Sequence, residues 1–283
     1  MIDEGKILSR HEVRKENSML TIFSIIFILA FSLVIIILAV TTPLFSTPSV
    51  LSILCVAIAA ITLSSLLYLR LHSNPMFTYF LYEKGVRVFN HHNGKVYFIP
   101  FNKIRYIHKY HLGINSDGKI NAMAFRTSKA QPWNIIINNI KNAYPLMNTL
   151  IHQQVINVGV ISLDSLSKGE PILFEVIKRN DNWLVKLMLH SVINIIKDST
   201  LAIETSPISL SAHCLATSEG IINMEDILYI ETQRETYHDK IQLFDAKGKI
   251  LFTIDYSALV SADLFIALVE HMIQNRIPAY HAD

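Results

Sequence analysis

The sequence predicts an α+β membrane protein: an N-terminal two-helix transmembrane hairpin, then two tandem β-rich units, each closed by a C-terminal helix. Three observations lead there. The 53 residues from Asn17 to Leu69 include no Asp, Glu, Lys or Arg. Short β-branched and aromatic runs, separated by turn signals, fill most of the chain beyond them. The order of those runs recurs once.

Hydrophobic residues make up 51% of the 283, and they concentrate near the front. Met19 to Val40 is interrupted only by Thr21, Ser24 and Ser32, and Val50 to Tyr68 is similar. Each run approaches the ~20 residues that a helix needs to cross a hydrocarbon core. A spanning segment must satisfy its own backbone, so helix is the expected form. The boundaries expected are a cytoplasmic tail over 1–18, transmembrane helices over 19–40 and 50–70, and an external loop over 41–49, whose two prolines suit a tight turn. A cleaved signal peptide is the rival reading. The length of the first apolar run and the second run behind it argue against cleavage. Lys6, Arg10, Arg14 and Lys15 precede the first run, and Arg70, Lys84 and Arg87 come after the second, with none between, so both termini are expected inside. Cys55 and Cys214 read as unpaired thiols in a reducing compartment.

The first β-rich unit is placed at 75–155. FTYFLYEKGVRVFN (Phe77 to Asn90) and KVYFIPFNKIRYIHKY (Lys95 to Tyr110) flank an Asn93-Gly94 turn signal. Asn115 to Gly118 reads as another turn, Ala122 to Ser128 and Trp133 to Ile140 as strands. Leu146, Met147, Leu150 and Ile151 then recur with helical period. The second unit is placed at 200–277. Thr200 to Thr217 reads as a strand pair, Asp239 to Asp255 as a hairpin about Ala246-Lys247-Gly248, and Ala262 to Asn275 as an amphipathic helix. At an offset of 123 residues, Phe101 to Ile107 lies over Met224 to Ile230. The stretch 156–199 is a linker carrying the apolar segment Trp183 to Ile196. That segment reads as a helix packed on the β units or, alternatively, as an interfacial helix with Trp183 at headgroup level and Lys186 snorkelling.

A strand pair, an apolar residue followed by x-x-Ile, further strands and one amphipathic helix resemble bacterial pleckstrin-homology-like (PH-like) domains. LYEKGVRVFN…KVYFIPFNKIRYI carries the likeness best, with Glu83-Lys84-Gly85 at the position of an acidic-x-Gly turn. PISLSAHCLAT…INMEDILYI repeats the order without that glycine. The resemblance implies PH-like β-barrel or sandwich units of seven strands and a helix, in a membrane-anchored bacterial protein. It also implies a multi-pass inner-membrane location with both termini cytoplasmic. Binding of lipids, peptides or proteins is implied, and catalysis is not.

Charge is distributed unevenly. From Leu71 to Val160 there are ten Lys/Arg and two acids, a balance of +8; from Ile161 to Asp283 there are ten Lys/Arg and seventeen acids, a balance of −7. The candidate contact residues for anionic lipid or a partner are Lys84, Arg87, Lys95, Lys103, Arg105 and Lys109. In one extended strand, Lys103, Arg105 and Lys109 would share a face opposite Ile104 and Tyr106. Internal pairing between the +8 and −7 segments explains the same distribution equally well. No recognition-helix or aromatic-basic RNA pattern accompanies the charge, so nucleic acid is not expected.

Catalytic signatures are missing: there is no phosphate-binding glycine loop, H-E-x-x-H, paired C-x-x-C or G-x-S-x-G. His91-His92, His108 with His111, and Cys214 beside His213 lack a spacing that would converge on a metal, and no cofactor or metal is expected. The function expected is a non-enzymatic, inner-membrane-anchored interaction module. The alternatives are an immunity protein that presents its acidic unit to a toxin, or an accessory subunit of a transporter or envelope complex.

Overall fold

The computed structural model describes residues 3–12, 18–41, 49, 52–53, 55–56, 58–60, 62–63, 77–91, 93–111, 120–177, 205–234 and 239–275. The chain divides into two compact units, Met1–Glu12 with Phe77–Asp283, and Val13–Met76.

Within the unit Val13–Met76, α1 (Ser18–Thr41) is an apolar helix. Among the described residues, however, no helix is long and apolar enough to cross a membrane. The expected transmembrane hairpin, and the multi-pass inner-membrane placement built on it, are corrected on that finding. A span needs about 20 continuous apolar helical residues. Most of the expected loop over 41–49 lies outside the described residues.

The larger unit is built from two halves with one plan. The first comprises β1 (Ile7–His11), β2 (Phe77–Tyr82), β3 (Gly85–Asn90), β4 (Val96–Pro100), β5 (Tyr106–Tyr110), β6 (Ala122–Arg126), β7 (Asn134–Ile137) and α2 (Ala143–Ser167). The second comprises β8 (Ile172–Ile177), β9 (Thr205–Leu210), β10 (Cys214–Thr217), β11 (Gly220–Asn223), β12 (Tyr229–Arg234), β13 (Asp239–Phe244), β14 (Ile250–Asp255) and α3 (Ala262–Asn275). Each half has a four-stranded antiparallel sheet, a three-stranded one and a closing helix. A 3-10 turn links the two sheets of each half, Phe101–Lys103 in one and Met224–Asp226 in the other.

Both halves draw their first strand from unexpected places. β1 comes from the segment read as a tail, and it pairs with β2 so that Arg10 faces Phe80 and His11 faces Tyr79. β8 comes from the stretch read as linker, and α2 runs unbroken to Ser167. The segment holding Trp183 to Ile196 lies outside the described residues, as does the Asn115 to Gly118 turn.

Local chemistry explains the first sheet. Glu83-Lys84 is the two-residue link between β2 and β3, and Gly85 opens β3 against the neighbouring strand. A Cβ on Gly85 would fall 2.4 Å from the Ile99 carbonyl oxygen and 2.6 Å from the Phe98 ring, so only glycine lets β4 approach so closely. The Asn93-Gly94 signal marks a longer loop than a two-residue turn, closed by Asn90 N–H on the Lys95 carbonyl. β-Branched and aromatic side chains supply the core: Tyr79, Val86, Val88, Ile104, Phe125 and Ile136 are buried in the first half.

α2 serves both cores. Ala143, Leu146, Met147 and Leu150 form a stripe at helical spacing toward the first half. Leu166, two turns beyond Gly159, belongs instead to the second core with Phe174, Leu215, Ile241, Phe265 and Val269. Gly159 faces α3, where a Cβ would meet Leu264 Cδ1 at 3.6 Å, an ordinary packing distance.

Candidate functional site

Lys103 and Arg105 stand at the joint between the two sheets of the first half. The 3-10 turn is set by two main-chain bonds, Phe101 N–H to the Lys84 carbonyl and Ile104 N–H to the Phe101 carbonyl. Ile104 is fully buried between them, while Lys103 and Arg105 are exposed. Their backbone is fastened from below by a polar knot. Gln154 of α2, itself buried, donates from Nε2 to the Arg105 carbonyl at 2.9 Å and to Ser261 Oγ at 3.0 Å. Ser261 Oγ donates to the Arg105 carbonyl at 3.2 Å, and Ser261 N–H donates to the Ile107 carbonyl at 2.6 Å. Ser261 is left-handed (φ 59°), a conformation that costs energy for a residue with a Cβ and is held here by three partners. Two cations are thus displayed on a backbone with little freedom to move.

The other expected basic residues are distributed differently. Lys84 is ion-paired with Asp3, and Arg87 with Glu4 while lying over the Tyr82 ring. The hydrogen bond that Arg87 donates to the Glu4 carboxylate raises the guanidinium above its ordinary value. Lys95 is exposed at the foot of β4 and, among the described residues, has no ion pair. Lys109 does not share a face with Lys103 and Arg105. The 3-10 turn breaks the expected single strand, and Lys109 turns to Asp263 at 3.0 Å, with its ammonium 4.4 Å from the Tyr256 ring centroid. Trp183 and Lys186 lie outside the described residues.

Much of the charge division is internal wiring. Glu175 of β8 takes Lys129 at 2.6 Å and Arg126 at 3.4 Å, and Arg126 also lies 4.1 Å from the Trp133 ring centroid. With Lys109–Asp263, three ion pairs connect the basic segment to the acidic one. His108 joins them from β5: its Nε2 bonds the Ser257 carbonyl at 2.8 Å, and burial pushes the imidazole below its usual value. Neither the pair Arg126–Glu175 nor the pair Gln154–Ser261 was legible. The partners of each pair lie 49 and 107 residues apart along the chain, and nothing in their spacing announces that they meet.

Chemically, this surface can hold an anion or a carboxylate by charge and hydrogen bonding. Among the described residues, no three His, Cys, Asp or Glu converge as metal ligands. Cys214 Sγ lies 3.3 Å from Ser211 Oγ in a short turn. No family model matches the chain, and no curated protein is significantly similar to it.

Proposed function

We propose that the chain is a non-enzymatic interaction module, made of two PH-like halves, that binds anionic lipid headgroups through Lys103 and Arg105, with Lys95 as an accessory cation. One observation carries the reading. Of the six basic residues picked out by charge, Lys84, Arg87 and Lys109 are neutralised within the chain. Lys103 and Arg105 are instead exposed on a backbone fixed by Gln154 and Ser261. A rigid pair of cations loses little freedom on binding, which favours affinity.

Each Lys or Arg near an anionic surface is worth about 1 kcal/mol. The double variant Lys103→Gln/Arg105→Gln therefore loses about 2 kcal/mol, roughly a 30-fold drop in partition onto anionic vesicles. Co-sedimentation of the full chain with anionic and neutral vesicles, at low and high salt, measures it. Binding that is salt-sensitive, specific to anionic vesicles and lost in the variant is the expected result. Unchanged partition in the variant sinks the assignment and directs the search to protein partners.

A further inference from the structure

The two halves differ in how firmly each holds its first strand. β8 is locked on both sides. Phe174 lies in the second core edge-on to Phe265 at 5.2 Å, Glu175 holds Arg126 and Lys129, and Val260 N–H bonds the Glu175 carbonyl. β1 occupies the same place in the first half and contributes almost nothing to the core. Of its five residues only His11 is buried, while Ile7 and Leu8 are exposed.

What holds β1 is a main-chain ladder along β2 and a set of charged contacts at its leading end. Lys84 N–H donates to the Glu4 carbonyl, Glu83 N–H to the Lys6 carbonyl, and Lys6 N–H to the Glu83 carboxylate. Asp3 and Glu4 deliver adjacent carboxylates to Lys84 and Arg87. Gly5, at φ 75°, lets the chain lie against the Glu83 side chain, where a Cβ would come within 2.8 Å. At the far end His11 Nδ1 bonds the Lys141 carbonyl at 3.1 Å, and Lys141 N–H bonds the Glu12 carbonyl. The 64 residues of Val13–Met76 separate this segment from β2, so chain connection does little to keep the two together.

We propose that the edge of β2 that β1 covers, with Lys84 of the β2–β3 link and Arg87 of β3 beside it, is a recognition surface for an extended acidic peptide, and that residues 3–12 are an internal occupant which such a peptide displaces. Strand addition supplies affinity through the backbone, and the two cations select a pair of neighbouring carboxylates at the peptide's leading end. The glycine after those carboxylates sets the bend that brings the next residues into register. A partner therefore carries Asp/Glu-Asp/Glu-Gly ahead of a short alternating strand.

The test uses the full chain and a labelled peptide of residues 3–12 (DEGKILSRHE), read by fluorescence anisotropy. The variant Asp3→Lys/Glu4→Lys loosens the internal occupant and is expected to bind the peptide saturably, at least ten-fold more tightly than the unmodified chain. Adding Lys84→Glu/Arg87→Glu restores charge complementarity with the internal strand and repels the peptide, so binding is expected to vanish while the melting temperature recovers. A scrambled peptide of the same composition is expected not to bind. The proposal is overturned if the loosened variant melts cooperatively yet leaves the peptide free, or if the scrambled peptide binds equally. Binding of the loosened variant to anionic vesicles through Lys84 and Arg87, without peptide binding, also overturns it and assigns the surface to headgroups.

Discussion

Replacing Gln154 by Leu tests whether the knot beneath Lys103 and Arg105 holds the halves together. The side chain is 1% exposed. Its amide reaches the Arg105 carbonyl at 2.9 Å, Ser261 Oγ at 3.0 Å and, less well, the Ile104 carbonyl at 3.4 Å. Leucine keeps the volume and removes the donors. Two good hydrogen bonds at about 1 kcal/mol each are lost, and a carbonyl left short of a partner in the interior adds about 1–2 kcal/mol. The total is about 3–4 kcal/mol. For a unit of this size each kcal/mol lowers the melting temperature by about 2–4 °C, so a fall of roughly 6–16 °C is expected. Thermal denaturation of the full chain followed by circular dichroism measures it. Gln154→Ala adds a cavity and is expected to fall further. A fall below about 2 °C for Gln154→Leu refutes the reasoning, because the bonds would then contribute nothing net.

Single contacts carry two other expectations. His108 and His11 are both held below their ordinary values, chiefly by burial. The unfolded chain therefore takes up their protons first, near pH 6.5, and stability present above that pH is lost as pH falls toward the folded values. A melting temperature that drops from pH 7.5 to 5.5, with a shallower drop in His108→Gln/His11→Gln, is expected; an identical slope in that variant excludes the two histidines. Gly85→Ala is expected to destabilise by about 1–3 kcal/mol, because the new Cβ meets backbone atoms of Ile99 and Pro100 that have no rotamer to change. A chemical denaturation midpoint equal to that of the unmodified chain would show that β4 gives way freely.

Local periodicity was legible and long-range placement was not. The helix Ala262–Asn275 spans the residues expected of it, because Leu264, Phe265, Leu268, Val269 and Met272 repeat at helical spacing and all are buried. The Asp239 to Asp255 hairpin is likewise local. β1 was missed because ILSRH is short, charged and separated by a whole unit from the strand it joins; its exposed side chains leave no core signature to read. The charge division was visible, but its meaning depended on whether Lys109 reaches Asp263 and whether Glu175 reaches Arg126. No rule of spacing decides that. The membrane reading rested on composition, the absence of charge over Asn17 to Leu69, and it is corrected because, among the described residues, no helix is long and apolar enough to span.

The repeated plan makes a last prediction, because the same joint occurs twice with opposite chemistry. Ile227 N–H bonds the Met224 carbonyl as Ile104 N–H bonds that of Phe101, and Met224 N–H bonds the His213 carbonyl as Phe101 N–H bonds that of Lys84. Phe101 with Met224 and Ile104 with Ile227 correspond at the 123-residue offset, and Ile227, like Ile104, is buried. The places of Lys103 and Arg105 are then taken by Asp226 and Leu228, both exposed. The 3-10 turn and its two main-chain bonds are common to both joints, and the exposed side chains beside the buried isoleucine differ. Asp226→Lys/Leu228→Arg is expected to create a second anion-binding joint and raise salt-sensitive partition onto anionic vesicles. Two joints that engage singly double the binding; two that engage together multiply it by roughly 30-fold, at about 1 kcal/mol per cation. Glu219→Lys/Ile221→Arg adds the same charge elsewhere on the exposed surface and controls for net charge. If that control gains as much, presentation by the joint is irrelevant and simple electrostatics accounts for the binding; if only the joint variant gains, rigid display is what the fold contributes.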